Sequence, residues 1–154
     1  MTGHEHRIVV GIDGSESSKA ALRWAIRQAK LTGAAVEAVL AWRYPSTFGL
    51  APMAGSEIDL EGDARKALID SLNEVSALEP DVKVHPLVIE GHPAEVLAGA
   101  AKDADLLVVG SRGHGAFTSA MTGSVSINCV LHSRCPVLVV RDGHAGSTDY
   151  LGTT

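Results

Sequence analysis

Short apolar runs alternate along the chain with segments in which apolar residues recur at helical spacing. The first run, residues 8–12, shows no alternation of apolar and polar positions, which is typical of a strand covered on both faces of a parallel sheet. Further strands are predicted at residues 35–41, 82–89, 105–110 and 136–140. Between them, periodicity and capping residues predict helices at residues 17–31, 58–78, 92–101 and 124–132.

This order of elements predicts an α/β fold, an open five-stranded parallel sheet with helices on both faces and right-handed crossovers. The first and fourth strands are expected to be the most buried and to lie side by side in the middle. Pro86 interrupts the third strand and has no backbone N–H, so this strand is expected at an edge. The expected strand order is therefore 3-2-1-4-5.

The predicted elements form one domain over residues 1–141. Gly33 is placed to end the first helix. Residues 42–55 are rich in Pro, Gly and Ser and predict a long loop, whose action as a lid stays open. Residues 142–154 predict a disordered tail.

The composition argues against two classes of partner. The net charge is −5 and the 13 basic residues are scattered, which argues against binding of nucleic acid. No apolar run reaches the length of about 18 residues that spans a bilayer, so no membrane association is expected. Residues 1–7 are polar and lack the apolar core of a secretory signal, which favours a cytoplasmic location.

Glycine-bearing loops follow both predicted central strands, at residues 11–14 and 110–113. In an open parallel sheet, ligands bind beyond the carboxyl ends of the strands at which the winding direction reverses, so the two loops should face each other. Gly110 and Gly113 are expected to adopt positive φ and to let the backbone approach a ligand. The alternative is that these glycines only mark a turn.

A helix is predicted to begin at Gly123 and Ser124, and nine residues separate Gly113 from Gly123. Its exposed N–H groups and its dipole favour an anion. Ser124 and Ser126 add hydroxyl donors for phosphate oxygens, and Arg112 adds a positive charge. The alternative is that Ser124 only caps the helix. The position of both loops at the sheet centre favours a phosphate-binding role.

The spacing Gly110-x2-Gly113-x9-Gly123-Ser124 resembles the nucleotide-binding signature of the universal stress protein family, in its ATP-binding branch. The first and last strands also resemble that family, in Ile-Val-Val-Gly-Ile-Asp-Gly-Ser and Cys-Pro-Val-Leu-Val-Val. The resemblance covers residues 5–141. It implies a Rossmann-like fold of the adenine nucleotide α-hydrolase type.

The resemblance also implies roles for single residues. Asp13 would lie beside the adenine and ribose, and the backbones of Gly11 and Ile12 would line the same pocket. The backbone of Ala41 would face the adenine edge. The ribose and phosphates would be held by Gly110, Arg112, Gly113, Gly123, Ser124 and Val125. The family further implies a homodimer in which the last strand, Val137–Val140, pairs antiparallel with its copy.

Other polar residues carry weaker signals. Asp13 is also a common turn former or helix cap, a task that Ser15 or Ser17 could share. Cys129, Cys135 and His132 lack the spacing of a zinc site, so buried thiols and no metal site are expected. No catalytic residue is predicted.

Three functions stay open at this point. A regulatory binder of ATP in the stress response is favoured, with AMP and cyclic AMP as alternative ligands and Mg²⁺ or Mn²⁺ as an optional companion. An ATPase would lack the lysine of a GxxxxGK[ST] loop, so its hydrolysis should be slow. A dimeric interaction module without nucleotide is the third reading, and the glycine signature counts against it.

Overall fold

The computed structural model describes residues 5–44, 59–77, 79–111 and 124–141. The strands are β1 (Arg7–Gly11), β2 (Ala35–Trp42), β3 (Val84–Glu90), β4 (Leu106–Gly110) and β5 (Val137–Val140). The helices are α1 (Glu16–Thr32), α2 (Leu60–Ser76), α3 (Pro93–Ala100) and α4 (Ser124–His132). The predicted alternation of strands and helices is confirmed, and most of the predicted boundaries differ from the observed ones by one or two residues.

All strand pairs in the sheet are parallel, and the strand order is β3-β2-β1-β4-β5. The predicted order is confirmed, including the central pair of β1 and β4 and the edge position of the strand that carries Pro86. Gly11 lies opposite Val39 on β2, and Gly110 lies opposite Val140 on β5. The carboxyl ends of the strands therefore meet at one edge of the sheet.

Helix α1 shows how the local sequence sets a helix end. Ser15 is its N-cap, and the Ser15 side chain accepts a hydrogen bond from the Ser18 amide. Gly33 ends the helix in the left-handed conformation, with φ of 77°, and its amide donates to the Ala29 carbonyl. The predicted C-terminal glycine is therefore confirmed. Lys19 then joins α1 to α2, because its ammonium group lies 2.9 Å from a carboxylate oxygen of Glu74.

The two faces of the sheet carry separate hydrophobic clusters. On one face, Leu22 of α1 and Leu68 of α2 pack with alternate residues of β1 such as Val10. On the other face, Leu97 of α3 and Cys129 of α4 pack against Val9 and the neighbouring strands. Both faces are covered, which explains why β1 and β4 have three fully buried central residues each. Within the described residues, no helix is long and apolar enough to cross a bilayer.

Candidate functional site

The winding of the chain reverses between β1 and β4. From β1 the chain enters α1, which packs on the same face as α2. The helix that follows β4 is α4, which packs on the opposite face with α3. β1 and β4 are paired, and in open α/β sheets such a divergence is the place where a ligand-binding crevice is expected, beyond the carboxyl ends of the two strands. The crevice lies at the sheet edge that the sequence predicts.

Asp13 stands on the β1 side of this crevice. Its Oδ1 atom accepts hydrogen bonds from the amide of Ser15, at 2.9 Å, and from the Ser15 hydroxyl, at 2.5 Å. The turn itself is made by Gly14, whose φ is 84°. Asp13 is nevertheless exposed. Its turn-forming role is therefore present in the structure.

Gly110 stands on the β4 side, and its conformation differs from the expectation. It is the last residue of an extended strand and is not among the glycines with positive φ. A Cβ atom here would lie 2.7 Å from the carbonyl carbon of Ser17 and 2.8 Å from its oxygen. The positive φ expected for Gly110 is wrong, because the strand is regular here. The glycine is required by the close approach of the first turn of α1.

Ser126 is 4% exposed and its hydroxyl lies 2.5 Å from the carbonyl oxygen of Gly110, to which it donates. The sequence predicts a hydroxyl that points at phosphate. Instead, its proton is used inside the protein to hold α4 against the end of β4. Val125 packs with the cluster on the same face as Leu97. The side chain of Ser124 and the residues Arg112, Gly113 and Gly123 lie outside the described part of the chain.

The remaining predicted residues lie near the end of β1 or β2. Gly11 is packed under α3, because an added Cβ would lie 2.8 Å from the Cδ1 atom of Leu97. Ile12 is 3% exposed, and its amide donates to the carbonyl oxygen of Val39 at 2.8 Å. Ala41 is half-buried. These three residues form the floor and the β2 side of the crevice.

Two aromatic residues beside Ala41 were not predicted as part of the site. The rings of Trp42 and Tyr44 make an edge-to-face contact, with centroids 5.5 Å apart and planes at 78°. Trp42 is half-buried and Tyr44 is 63% exposed. Their spacing could have indicated this pair, since two aromatic residues separated by a single residue are unusual in a chain that is 4% aromatic.

A separate cleft of about 310 Å³ lies at the opposite edge of the sheet. Its polar lining includes His6 and Asp105, whose Nδ1 and Oδ2 atoms are 3.5 Å apart. It is lined by the first residues of β1 and β4 and by the end of α1, so it lies far from the glycine-bearing loops.

The cysteines are free thiols in different surroundings. Cys129 is fully buried and Cys135 is half-buried, so the expectation of burial is confirmed fully only for the first. Burial raises the pKa of the Cys129 thiol to about 11. Over the described ranges, no group of three His, Cys, Asp or Glu side chains is arranged to hold a metal ion.

A doubly wound sheet with a crevice at its reversal point defines the class of Rossmann-like α/β domains. Residues 5–141 match the model of the universal stress protein family. The chain therefore belongs to this family. The resemblance predicted from the glycine signature and the terminal strands is confirmed at the level of the family.

Two curated relatives are universal stress proteins of mycobacteria. The chain is 36% identical over 143 residues to a universal stress protein of Mycolicibacterium smegmatis, an alignment that covers 92% of this chain and 48% of the relative. It is 38% identical over 135 residues to one of Mycobacterium tuberculosis, covering 87% of this chain and 45% of that relative. The chain thus spans about half the length of the curated relatives that it matches.

Solved structures show the same fold over single-domain chains. A universal stress protein in complex with cAMP is 25% identical, with a TM-score of 0.69 and coverage of 92% of this chain and 100% of the other. The protein UspA from Lactobacillus plantarum is 23% identical, with a TM-score of 0.73, 91% of this chain and all (100%) of the other being covered. The second likeness concerns the fold alone.

Proposed function

We propose that this chain is a regulatory binder of adenine nucleotide, with ATP as its ligand, in the stress response. The observation that carries the proposal is the reversal of the winding between the paired strands β1 and β4, with the exposed residue Asp13 just after β1. The family relative in complex with cAMP supports an adenine nucleotide as the class of ligand.

The described residues fit the adenosine end of such a ligand. The exposed carboxylate of Asp13 can accept hydrogen bonds from ribose hydroxyls while its Oδ1 atom stays bonded to Ser15. Gly11, Ile12 and Ala41 lie beside it at the ends of β1 and β2, where the backbone of Ala41 would face the adenine edge. The small size of Gly11 is explained by Leu97, so its absent side chain is no evidence for the ligand.

The phosphates would be held by the glycine signature and the start of α4, that is by Gly110, Arg112, Gly113, Gly123, Ser124 and Val125. The backbone amides at a helix N-terminus favour an anion. We assign Ser126 a positioning role, because its hydroxyl fixes α4 to the carbonyl of Gly110. A bound Mg²⁺ or Mn²⁺ would take its ligands from phosphate oxygens and water.

We propose a binder rather than a dedicated enzyme. The sequence has no GxxxxGK[ST] loop, so it lacks the lysine that usually reaches the terminal phosphates of a nucleotide. Arg112 is the one cation of the glycine signature itself. ATP hydrolysis should therefore be slow compared with that of dedicated ATPases. The cytoplasmic location expected from the sequence stays a prediction.

Calorimetric titration with ATP, AMP and cyclic AMP tests the proposal, together with mass analysis of small molecules released from the purified protein. The variant Gly123→Val should weaken ATP binding at least tenfold, since a branched side chain would obstruct the phosphate-binding backbone. Gly99→Ala is the matched control, because a Cβ at Gly99 meets nothing within 4 Å. Unchanged ATP affinity in a folded Gly123→Val protein would contradict the proposal.

We also propose a homodimer through β5, which is an edge strand. Beside it, α4 presents an apolar surface of Ile127, Val130 and Leu131, which are 46%, 54% and 68% exposed. Leu131→Asp should convert a dimer to a monomer in light scattering. Leu31→Asp is its control, because Leu31 is 82% exposed on α1, on the other face of the sheet. A monomeric parent protein would refute the dimer.

A further inference from the structure

Strand β2 rises beyond the end of β1 and forms one wall of the crevice. The register places Gly11 opposite Val39, so Asp13 falls level with Ala41 two residues further along. Trp42 still pairs with Glu90 of β3, and its carbonyl accepts a hydrogen bond from the Gly91 amide at 2.8 Å. The residues after Ala41 therefore stand above the level of Asp13, on an ordered extension of the sheet.

The indole of Trp42 anchors this wall, and the phenol of Tyr44 stands on it. Trp42 packs against the cluster formed by α1, α2 and the sheet. Tyr44 meets the Trp42 ring edge to face and keeps 63% of its surface exposed. Most of the surface of Tyr44 is therefore accessible.

We propose that Tyr44 is a specificity-determining residue whose ring stacks on the purine base of the bound nucleotide. The inference deepens the proposed function and rests on it, because it needs the base at the Asp13 and Ala41 end of the crevice. Every purine presents an apolar π-face, and stacking of a base on an aromatic side chain is a common source of affinity. Tyr44 thus favours ligands with a base over free polyphosphate.

The test compares two ligands by calorimetric titration, with the parent protein and three variants. ATP carries the base, whereas inorganic tripolyphosphate carries the charge alone. Tyr44→Ala should weaken ATP binding about tenfold, which corresponds to about 1.4 kcal/mol. Tripolyphosphate affinity should stay unchanged. Tyr44→Phe keeps the ring and should bind ATP as the parent protein does. Leu31→Ala, remote from the crevice, controls for the loss of an exposed apolar side chain.

A spectroscopic readout separates stacking from a general loss of order. In a Trp24→Phe background, Trp42 is the remaining tryptophan. ATP should change the fluorescence emission of Trp42 when residue 44 is Tyr or Phe, because stacking of the base on that ring alters the surroundings of the indole. The change should be much smaller when residue 44 is Ala. A parent protein that binds no adenine nucleotide refutes the proposed function and this inference with it. Equal ATP affinity of Tyr44→Ala and parent refutes the role of Tyr44 alone.

Discussion

Strands β1 and β4 both end in glycine at the same edge of the sheet, but the two glycines are required for different reasons. At Gly11, an added Cβ would meet the tip of the Leu97 side chain, at 2.8 Å and 3.3 Å from its two methyl carbons. At Gly110, it would meet the Oγ atom of Ser17 at 2.5 Å and the backbone of Ser17 at 2.7 Å and 2.8 Å. A side-chain tip can move to another rotamer, whereas the first turn of a helix cannot easily shift.

A glycine in such a signature can be required by packing within the domain as well as by a ligand. Both glycines follow central strands, and both are explained by a helix of the same domain, α3 in one case and α1 in the other. Their small size makes the crevice possible by letting the helices approach closely. The absence of a side chain at these two positions is therefore explained without a ligand.

The largest expected effect is that of Gly110→Ala. Its methyl group would overlap backbone atoms, so we expect a destabilisation of about 3 kcal/mol or more in urea unfolding, at the upper end of overpacking costs. Ser17→Ala would remove the Oγ atom at 2.5 Å, but the carbonyl carbon and oxygen of Ser17 belong to its backbone and would stay at 2.7 Å and 2.8 Å. The double variant with Ser17→Ala should therefore recover only part of the stability that Gly110→Ala loses.

The control for this prediction is Gly99→Ala, a glycine-to-alanine change at an exposed position in the last turn of α3. It should stabilise the protein by about 0.5–1 kcal/mol, since alanine is the better helix former. If Gly110→Ala were as stable as the parent protein, the close contact between β4 and α1 would be disproved.

A smaller effect is expected for Gly11→Ala. The added methyl group displaces the flexible end of Leu97, so the destabilisation should be about 1 kcal/mol. In a Leu97→Ala background the same change should cost nothing or stabilise the protein, because the methyl then fills vacated space. A double-mutant cycle measures this coupling. Absence of coupling would mean that the Leu97 side chain is not what a methyl group at position 11 meets, and the contrast with Gly110 would be lost.

The sheet could be predicted from the sequence because its signals are local. Apolar runs and the Pro86 interruption predict the strand order, and Gly33 predicts the end of α1, each from a few neighbouring residues. Contacts between residues far apart in the sequence leave no such local pattern. The Arg7 side chain, for example, donates to the carbonyl of Ala100, 93 positions away, at 2.6 Å.

The candidate site shows the same limit. The glycine pattern located the crevice, and the alternative role of Asp13 as a turn former was recognised from its neighbours. The reason for Gly110 was missed because it depends on Ser17, which is far away in sequence. The role of Ser126 was missed because its acceptor is a backbone carbonyl of another strand, which no side-chain pattern reveals.

Pro86 limits how copies of this sheet could be joined. It lies in the middle of the edge strand β3, paired with Ala38 on its inner side, and it cannot donate a backbone hydrogen bond. Strand addition is therefore directed to the opposite edge, at β5. When each sheet has only one edge that can pair, the pairing of two copies leaves no such edge unused. Polymers that grow by repeated strand addition are therefore disfavoured.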